Sequence, residues 1–336
     1  MEKYSFFVGI DISKGHLDFC IRNSSVRLGF NRVPNDPGGI KEAIKWMRSF
    51  EGFRVKECLA CLEHTGIYGL TVLETLHRLD FAVWMEVAAC IKNGSGSLMR
   101  GKNDKVDASR IADYAHRFRA DAKLWEPPRK EITLLADLMA SRTRLMAVIS
   151  KLAVPVNEIK SFKAKGHYEK IKDASKKTIE AARKEAKAIE KQILEIMMGD
   201  AVLARLYKVV TSVQGVGFVT ATNLIIATNE FKYINDPRKL ACNAGCAPFE
   251  HSSGTSIRGR NKVSHKANKR LKSLLHMCAT SALQAEGEFK VYFDRKIAEG
   301  KNKFIVINAI RNKIIHRVCA CVREDRLYTK FPKTVA

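Results

Sequence analysis

The chain has 336 residues, 46% of them hydrophobic, which is enough for two packed domains with a connector and excludes a disordered protein. Lysine and arginine number 59 against 35 aspartates and glutamates, giving a net charge of +24. This excess predicts a polyanionic partner, and nucleic acid is preferred over a membrane surface because the charge is spread along the chain. No apolar run is long enough to span a membrane and no signal peptide is evident, so we expect a cytoplasmic protein.

The nine cysteines are scattered, which predicts reduced, buried thiols rather than disulfides or a zinc site. Cys58 and Cys61 are three residues apart, but they fall in a strand-like run and should point to opposite faces of a sheet.

The first 126 residues predict an α/β domain with a mixed sheet and helices packed on it. Short apolar runs bounded by turn-forming residues indicate strands, and apolar residues at helical spacing indicate helices. The predicted strands are Phe6–Ile12, Leu17–Arg22, Val26–Val33, Val55–Leu62 and Phe81–Val87. The predicted helices contain Ile40–Met47 and Leu70–Leu79, and after Val87 the pattern loosens into a polar loop, Asn93–Ser97.

Four carboxylates stand at informative places in this pattern. Asp11 lies near the end of the first strand, and Glu63 directly follows the fourth. Asp104 and Asp107 open a helix that should reach about Phe118, and residues three apart on a helix share a face. Burying an unpaired carboxylate is costly, so a carboxylate at the end of a buried strand usually has a cation or donor beside it. Complementation of the helix dipole is the simpler explanation of the aspartate pair.

Together the four carboxylates predict a metal site that contains Mg²⁺, with Mn²⁺ as the alternative, because these ions prefer oxygen ligands. Two such ions about 3.5–4 Å apart can activate a nucleophile and stabilise the leaving oxygen of a phosphodiester. Two strand ends and a helical aspartate pair, in this order, are the layout of ribonuclease-H-like nucleases.

Residues 127–200 predict a helical connector. Apolar residues repeat at heptad spacing from Glu131 to Leu152, where Pro155 should interrupt the helix, and again from Ile179 to Ile196. Two antiparallel helices forming a coiled coil, or a contact between subunits, are the simplest interpretations. Their lysine-rich faces are either solvated or bound to nucleic acid.

Residues 201–336 predict a mainly α-helical domain that binds nucleic acid. Gly215 and Gly217 precede an apolar helix whose N-terminal amides could bind a phosphate, although a plain turn between helices fits equally well. From His251 to Gln284 there is no acidic residue, and a helix with one cationic face is expected there. A solvated face is the alternative. The candidate phosphate ligands are Arg258, Arg260, Lys262, Lys266, Lys269, Arg270 and Lys272.

These motifs resemble the DEDD transposases of the insertion-sequence one-ten family and the related Piv-type DNA invertases. The N-terminal motifs are Gly9-Ile10-Asp11, Leu62-Glu63-x-Thr65-Gly66-x-Tyr68 and Lys102-x-Asp104-x-x-Asp107-Ala108. The C-terminal motifs are Gly215-x-Gly217, Leu240-Ala241 with Ala244-Gly245-x-x-Pro248, and Ser253-Gly254-Thr255-Ser256-Ile257-Arg258-Gly259. The resemblance covers nearly the whole chain.

The resemblance implies a RuvC-like domain, a coiled-coil connector and a transposase domain. It also implies a serine that attacks DNA covalently, and this serine falls on Ser253, with Ser252 and Ser256 in the same loop. Members assemble as homo-oligomers, dimers that pair into tetramers, with sites shared between subunits. Many members are guided by a structured non-coding bridge RNA that pairs with donor and target DNA.

The residues fit this expectation, since Arg258 and Arg260 could hold a scissile phosphate by bidentate hydrogen bonds. Two other functions remain open. A Holliday-junction resolvase or another structure-specific nuclease would use the same carboxylates with water and would need no serine. A non-catalytic nucleic-acid-binding protein would show strongly salt-dependent binding without cleavage.

Overall fold

A computed structural model describes residues 3–64, 66–94, 104–162, 165–253, 257–263 and 267–329. The chain divides into two compact units, Met1–Pro127 and Pro128–Ala336. None of the helices in the described ranges combines the length and the hydrophobicity needed to cross a membrane.

The first unit contains a mixed five-stranded sheet in the order β3-β2-β1-β4-β5. Strands β1, β2 and β3 form an antiparallel meander, and β4 and β5 run parallel to β1. The mixed sheet with packed helices is therefore confirmed. The strands are β1 (Phe6–Ile12), β2 (His16–Asn23), β3 (Arg27–Pro34), β4 (Cys58–Glu63) and β5 (Ala82–Glu86). The helices are α1 (Pro37–Arg48), α2 (Leu70–Arg78), α3 (Ala88–Gly94) and α4 (Asp104–Arg117).

The alternation of side chains along the strands gives this sheet two different faces. Val8 and Ile10 are fully buried in the core that contains the apolar faces of α1 and α2. Phe7 points the opposite way and packs in a second cluster with α4. Cys58 and Cys61 divide between the same two clusters, as the sequence predicts for residues three apart on a strand.

Helix α4 lies directly against β1 at Gly9. A Cβ atom on Gly9 would lie 2.1 Å from the carbonyl oxygen of Ala108 and 2.2 Å from the amide nitrogen of Ala112, so only glycine fits. Phe7 contacts His116 on the next turn of the helix, with ring centroids 4.9 Å apart. Four helical residues rise about 6 Å and two strand residues about 6.6 Å, so each successive turn of α4 lies opposite the next residue on this face of β1. The first turn of α4 therefore lies beside Asp11.

The loop predicted after Val87 is wrong in its first part, because Ala88–Gly94 forms α3. Ile91 is the buried residue of this helix and packs in the same cluster as Trp84 and Tyr114. One buried residue in seven gives no period that sequence inspection can detect. Residues 95–97 of the predicted loop lie outside the described residues.

The second unit is mainly helical, as predicted, and adds one β-hairpin. Its helices are α5 (Lys130–Phe162), α6 (Lys165–Gly199), α7 (Ala201–Ser212), α8 (Phe218–Thr228), α9 (Pro237–Asn243), α10 (Lys269–Ala282), α11 (Glu288–Ala298) and α12 (Lys303–Arg323). The hairpin consists of β6 (Pro248–Ser253) and β7 (Ile257–Val263). Side chains of Asp200, Asp236, Asn268 and Asn302 accept hydrogen bonds from backbone amides and thereby set where α7, α9, α10 and α12 begin.

The predicted interruption at Pro155 is wrong, because α5 continues through it to Phe162. Proline in a helix interior removes one hydrogen bond and crowds the preceding turn. Packing against α6 compensates, since Ile149 and Val156, on either side of the proline, are both buried. Arg142 of α5 also donates to Glu190 of α6 at 2.6 Å. Tertiary contacts thus override the local preference of proline.

Candidate active site

Five charged residues form one row across all five strands of the sheet in the first unit. The backbone register pairs Arg32 with Asp18 and Asp18 with Asp11. The register between β1 and β4 brings Glu63 beside Asp11, and Glu63 pairs with Glu86. Paired residues share a face, so the whole row lies on the α4 side of the sheet. Like charges directly opposite each other destabilise a sheet, so four carboxylates in one row indicate a functional demand.

Asp11 and Glu63 occupy the middle of this acid row. Burial raises the pKa of Asp11, and the nearby carboxylates of Asp107, Asp104 and Asp18 raise it further. Burial likewise raises the pKa of Glu63, with added repulsion from Asp11 and Asp107. Within the described part of the chain, neither Asp11 nor Glu63 forms an ion pair. The pair therefore concentrates negative charge that no ion pair among the described residues relieves.

Asp104 and Asp107 stand in the first turn of α4, next to Asp11. They reach this position because the close contact between α4 and β1 at Gly9 fixes where the helix begins relative to the strand. Asp107 pairs with Arg110 on its own helix at 2.8 Å, and Asp104 accepts from Arg32 at 2.8 Å. The structure thus brings the four predicted carboxylates into one region, although two of them already have arginine partners and no three of them have ligand oxygens within 4.8 Å of one another.

A cluster of His16, Asp18 and Arg32 stands beside Asp104, and none of these three residues was predicted. Asp18 is buried and accepts two hydrogen bonds from Arg32, at 2.8 and 3.1 Å. Nε2 of His16 lies 3.5 Å from one carboxylate oxygen of Asp18 and one of Asp104. Among the described residues, His16, Asp18 and Asp104 are the group whose potential ligand atoms lie within 4.8 Å of one another. His16, Asp18 and Arg22 lie at alternate positions of β2, but this pattern indicates only that they share a face and does not identify a site.

The outer end of the acid row, Glu86, is covered by Tyr114 of α4. The Tyr114 hydroxyl donates to a carboxylate oxygen of Glu86 at 3.5 Å. Burial, followed by the charge of Glu86, raises the pKa of Tyr114 to about 12. The tyrosine therefore stays protonated at neutral pH and remains a donor to this end of the row.

In the second unit, Ser253 is the last residue of β6. The hairpin register pairs Ser252 with Arg258 and Ser253 with Ile257 across the turn. The backbone therefore places the predicted serine next to a segment that carries Arg258 and Arg260. Residues 254–256, including Ser256, lie outside the described residues.

The two glycines predicted to approach nucleic acid have different surroundings. Gly215 has a positive φ of 86°, and a Cβ atom there would lie 2.4 Å from the carbonyl oxygen of Cys278. Gly215 is thus required by the turn and by its packing against α10. Gly217 precedes α8 and has open space around it, so the N-terminal amides of this helix remain approachable.

Comparison with known proteins agrees with this geometry. Residues 8–159 match the family profile of the IS110-type DEDD transposases, and residues 207–294 match that of the transposase IS116/IS110/IS902 family. The two matches together span more than two thirds of the chain. The chain belongs to the IS110 family of transposases.

Several relatives extend the similarity over the full length of this transposase. The pilin gene-inverting protein of Moraxella bovis is 23% identical over 331 residues, which cover 96% of this chain and 98% of that protein. An insertion element IS116 protein of Streptomyces clavuligerus is 23% identical over 391 aligned positions, which cover 97% and 96% of the two chains. An enzyme that acts on DNA accounts for the net charge of +24.

The predicted cationic helix of the transposase is shorter than expected. Helix α10 begins at Lys269, whereas Lys262 lies on strand β7, so the expectation of a single basic helix is wrong. The small, polar residues before Lys262 favour a hairpin that periodicity alone did not reveal. Arg270 donates to Asn223 of α8 at 2.9 Å, which directs it toward the protein, while Lys269 is exposed. Lys266 lies outside the described residues.

The carboxylates of Asp11, Glu63, Asp104 and Asp107 fit a divalent cation on chemical grounds. They offer only carboxylate oxygens, the class of ligand that Mg²⁺ and Mn²⁺ prefer. Burial, followed by repulsion from neighbouring carboxylates, raises the pKa values of Asp11 and Glu63, and a bound cation would offset both effects. DEDD transposases are typically metal-dependent, and the donor set of this member is consistent with that property.

Proposed function

We propose that this transposase cleaves and exchanges strands between donor and target DNA through a covalent phosphoserine at Ser253, with Mg²⁺ held by the acid row. The observation that supports the proposal is that Asp11 and Glu63 lie side by side, with pKa values raised first by burial and then by neighbouring carboxylates, and without an ion-pair partner among the described residues. Such an arrangement costs stability and persists where it serves a reaction.

Asp11 and Glu63 are the residues that would hold the metal, with Asp104 and Asp107 as further ligands once they are released from Arg32 and Arg110. When bound, Mg²⁺ would offset the charge that develops on the phosphate oxygens. Glu63 and Asp11 also have pKa values raised toward neutrality, and this shift suits a carboxylate that accepts a proton during the reaction.

In the proposed step, the Ser253 oxygen forms a bond to phosphorus while the bond from phosphorus to the leaving sugar oxygen breaks. The serine loses its proton to a base, and the leaving sugar oxygen gains one. The number of phosphoester bonds is unchanged, so strands can be rejoined without an external energy source. Arg258 and Arg260 would stabilise the negative charge on the phosphate.

The proposal includes a bridge RNA and a homo-oligomer, both implied by the family resemblance. A guide RNA would add a second polyanion, and the excess of cations over the whole chain supports binding of both nucleic acids. In the oligomer, the acid row of one copy would act with Ser253 of another. Sequencing the RNA that co-purifies with the protein tests the first part directly.

The serine is tested with Ser253→Ala, compared with Ser252→Ala as the matched control. We expect Ser253→Ala to abolish recombination while DNA and RNA binding remain unchanged, because a single hydroxyl is lost. Ser252→Ala should retain activity. Wild-type recombination by Ser253→Ala would show that the nucleophile is assigned to the wrong residue.

The metal site is tested with Asp11→Asn and Asp104→Asn, with the exposed Asp121→Asn as the control. Both site variants should fold but lose activity, and EDTA should stop the wild-type reaction. Full activity in EDTA would contradict the metal assignment. DNA joined covalently to protein after denaturation supports the serine, whereas free nicked ends would favour a nuclease that uses water. Binding without cleavage under any metal would favour the non-catalytic alternative.

A further inference from the structure

A cavity of about 540 Å³ lies between α4 and the edge strand β3, on the face of the sheet that carries the acid row. Its size falls within the roughly 300–1,000 Å³ typical of small-molecule sites. Neither the family profiles nor the resemblance assigns a role to it. Its lining residues come from one side of α4 and from β2 and β3, and those that the argument uses are Phe30, Lys105, Val106, Ser109, Arg110 and Arg117.

The chemistry of this cavity combines an apolar floor with a cationic wall. Phe30 packs beside Cys20, Ala108 and Ala112 and leaves part of its ring exposed. The ammonium of the exposed Lys105 lies 5.2 Å from the centre of that ring. Four cationic side chains line the cavity against a single carboxylate, Asp113, which is itself bound by two arginines. An aromatic floor with surrounding cations is the combination that binds a nucleotide by its base and its phosphate.

Ser109 adds a polar group at the edge of the floor. Its side-chain oxygen is buried and forms no hydrogen bond of normal geometry within the described residues. The Cys20 sulfur beside it is a weak acceptor toward which the Ser109 hydroxyl can donate. A buried hydroxyl in this state is available to a polar edge of a base that enters the cavity.

The cavity also adjoins the candidate active site. Arg110 lines the cavity and pairs with Asp107 at 2.8 Å, so one side chain contacts both places. Phe30 is two residues from Arg32 on the same face of β3, and Arg32 is two strands from Asp11, so Phe30 lies about 12 Å from Asp11. Stacked nucleotides advance about 3.4 Å along a strand, so this separation corresponds to about three to four nucleotides.

We propose that this cavity takes the base of an unpaired nucleotide in the DNA strand, about three to four positions from the phosphate at Asp11 and Glu63. Lys105 leaves the face of Phe30 to bind a phosphate, and the base stacks on the ring in its place. A base in a duplex cannot reach such a cavity, so the strand must be open there. The placement relative to the cleaved phosphate rests on the proposed function, whereas binding to the cavity does not.

The test measures the affinity of the full chain for a single-stranded DNA oligonucleotide, its duplex, an RNA of the same sequence and free dAMP, all in EDTA. Phe30→Leu should weaken single-stranded DNA binding about 5- to 150-fold, the contribution of one base stacked on an aromatic ring, and should leave duplex binding unchanged. Phe30→Tyr retains the ring and should restore the affinity. Val106→Trp should fill the cavity and reproduce the loss, whereas Leu70→Trp, on a helix of the opposite face, should have no effect.

Equal losses on single-stranded and duplex DNA, or no loss with Phe30→Leu, would overturn the proposal. A loss for RNA alone would assign the cavity to RNA, and tight dAMP binding with unchanged DNA affinity would assign it to a free nucleotide; either result overturns it. All binding measurements are made in EDTA, where no metal is held by the carboxylates, and the exposed control Asp121→Asn should bind DNA like the wild type. The cavity can therefore be confirmed even if the metal site is wrong, and refuted even if the metal site is right.

Discussion

Replacing Gly9 with alanine should damage both stability and catalysis, because the added methyl group meets the backbone of α4. The new Cβ would lie 2.1 Å from the carbonyl oxygen of Ala108, whereas ordinary contacts begin at 3.4 Å. The helix and strand must therefore separate by about 1.3 Å, the difference between these two distances. Neither partner is a flexible side chain, so no rotamer change can relieve the contact.

The size of the effect follows from this displacement. Overpacking a core usually costs about 1–3 kcal/mol, and a clash with backbone belongs at the upper end of that range. At about 3–4 °C per kcal/mol, the melting temperature should fall by about 8–12 °C. A displacement of about 1 Å can cost about 100-fold in rate. The same movement shifts Asp104 and Asp107 relative to Asp11, so cleavage should fall by at least this factor at temperatures where the variant is folded.

The assay compares Gly9→Ala with Gly15→Ala, since Gly15 lies in the turn after β1 with nothing within 4 Å of an added Cβ. Thermal unfolding and DNA cleavage are measured for both variants. Gly15→Ala should resemble the wild type in both assays. If Gly9→Ala also matched the wild type, then the close contact between α4 and β1 would not be what positions the carboxylates.

Three further predictions concern stability. Asp11→Asn should raise the melting temperature by about 2–4 °C near pH 8, and the gain should disappear toward pH 4, because a carboxylate with a raised pKa lowers stability only once it ionises; a gain that persisted at pH 4 would exclude a charge effect. Arg129→Met should cost about 3 kcal/mol in chemical unfolding, since it leaves the buried Glu230 without its arginine, whereas Lys290→Met at an exposed pair should cost under about 1 kcal/mol. Gly215→Ala should lower the melting temperature by several degrees more than Gly217→Ala, and equal values would contradict the packing of Gly215 on α10.

The parts of the fold that could be predicted from the sequence are those that local periodicity determines. The run Phe6–Ile12 is apolar apart from Gly9 and Asp11, and the structure gives a strand with the same bounds. Helix α3 contains one buried apolar residue, and hairpin β6–β7 is built mostly from polar and charged residues, so neither produces a period. The effect of Pro155 on the helix was overestimated because its local cost can be read from the sequence, whereas the packing of α5 on α6 cannot.

The same distinction between local pattern and tertiary contacts applies to the candidate site. Asp11 and Glu63 could be found because each follows an apolar run, and the structure brings them side by side. Asp18 and Arg32 could not, because their importance arises from cross-strand register, which depends on where the hairpin turns. The family resemblance names the carboxylates but not their arginine partners. The role of Ser253 remains a prediction.

The shared hold of Arg32 on Asp18 and Asp104 has a consequence for metal affinity. Because the Arg32 guanidinium already pairs with Asp104, it competes with a metal ion for this carboxylate. An incoming cation must displace Arg32 before Asp104 can coordinate it. By thermodynamic reciprocity, a ligand that draws Arg32 away from Asp104, such as a phosphate of an arriving DNA strand, tightens metal binding by the same factor by which the metal tightens binding of that ligand. DNA and the cation would then bind cooperatively, and the enzyme would bind its metal more weakly in the absence of DNA.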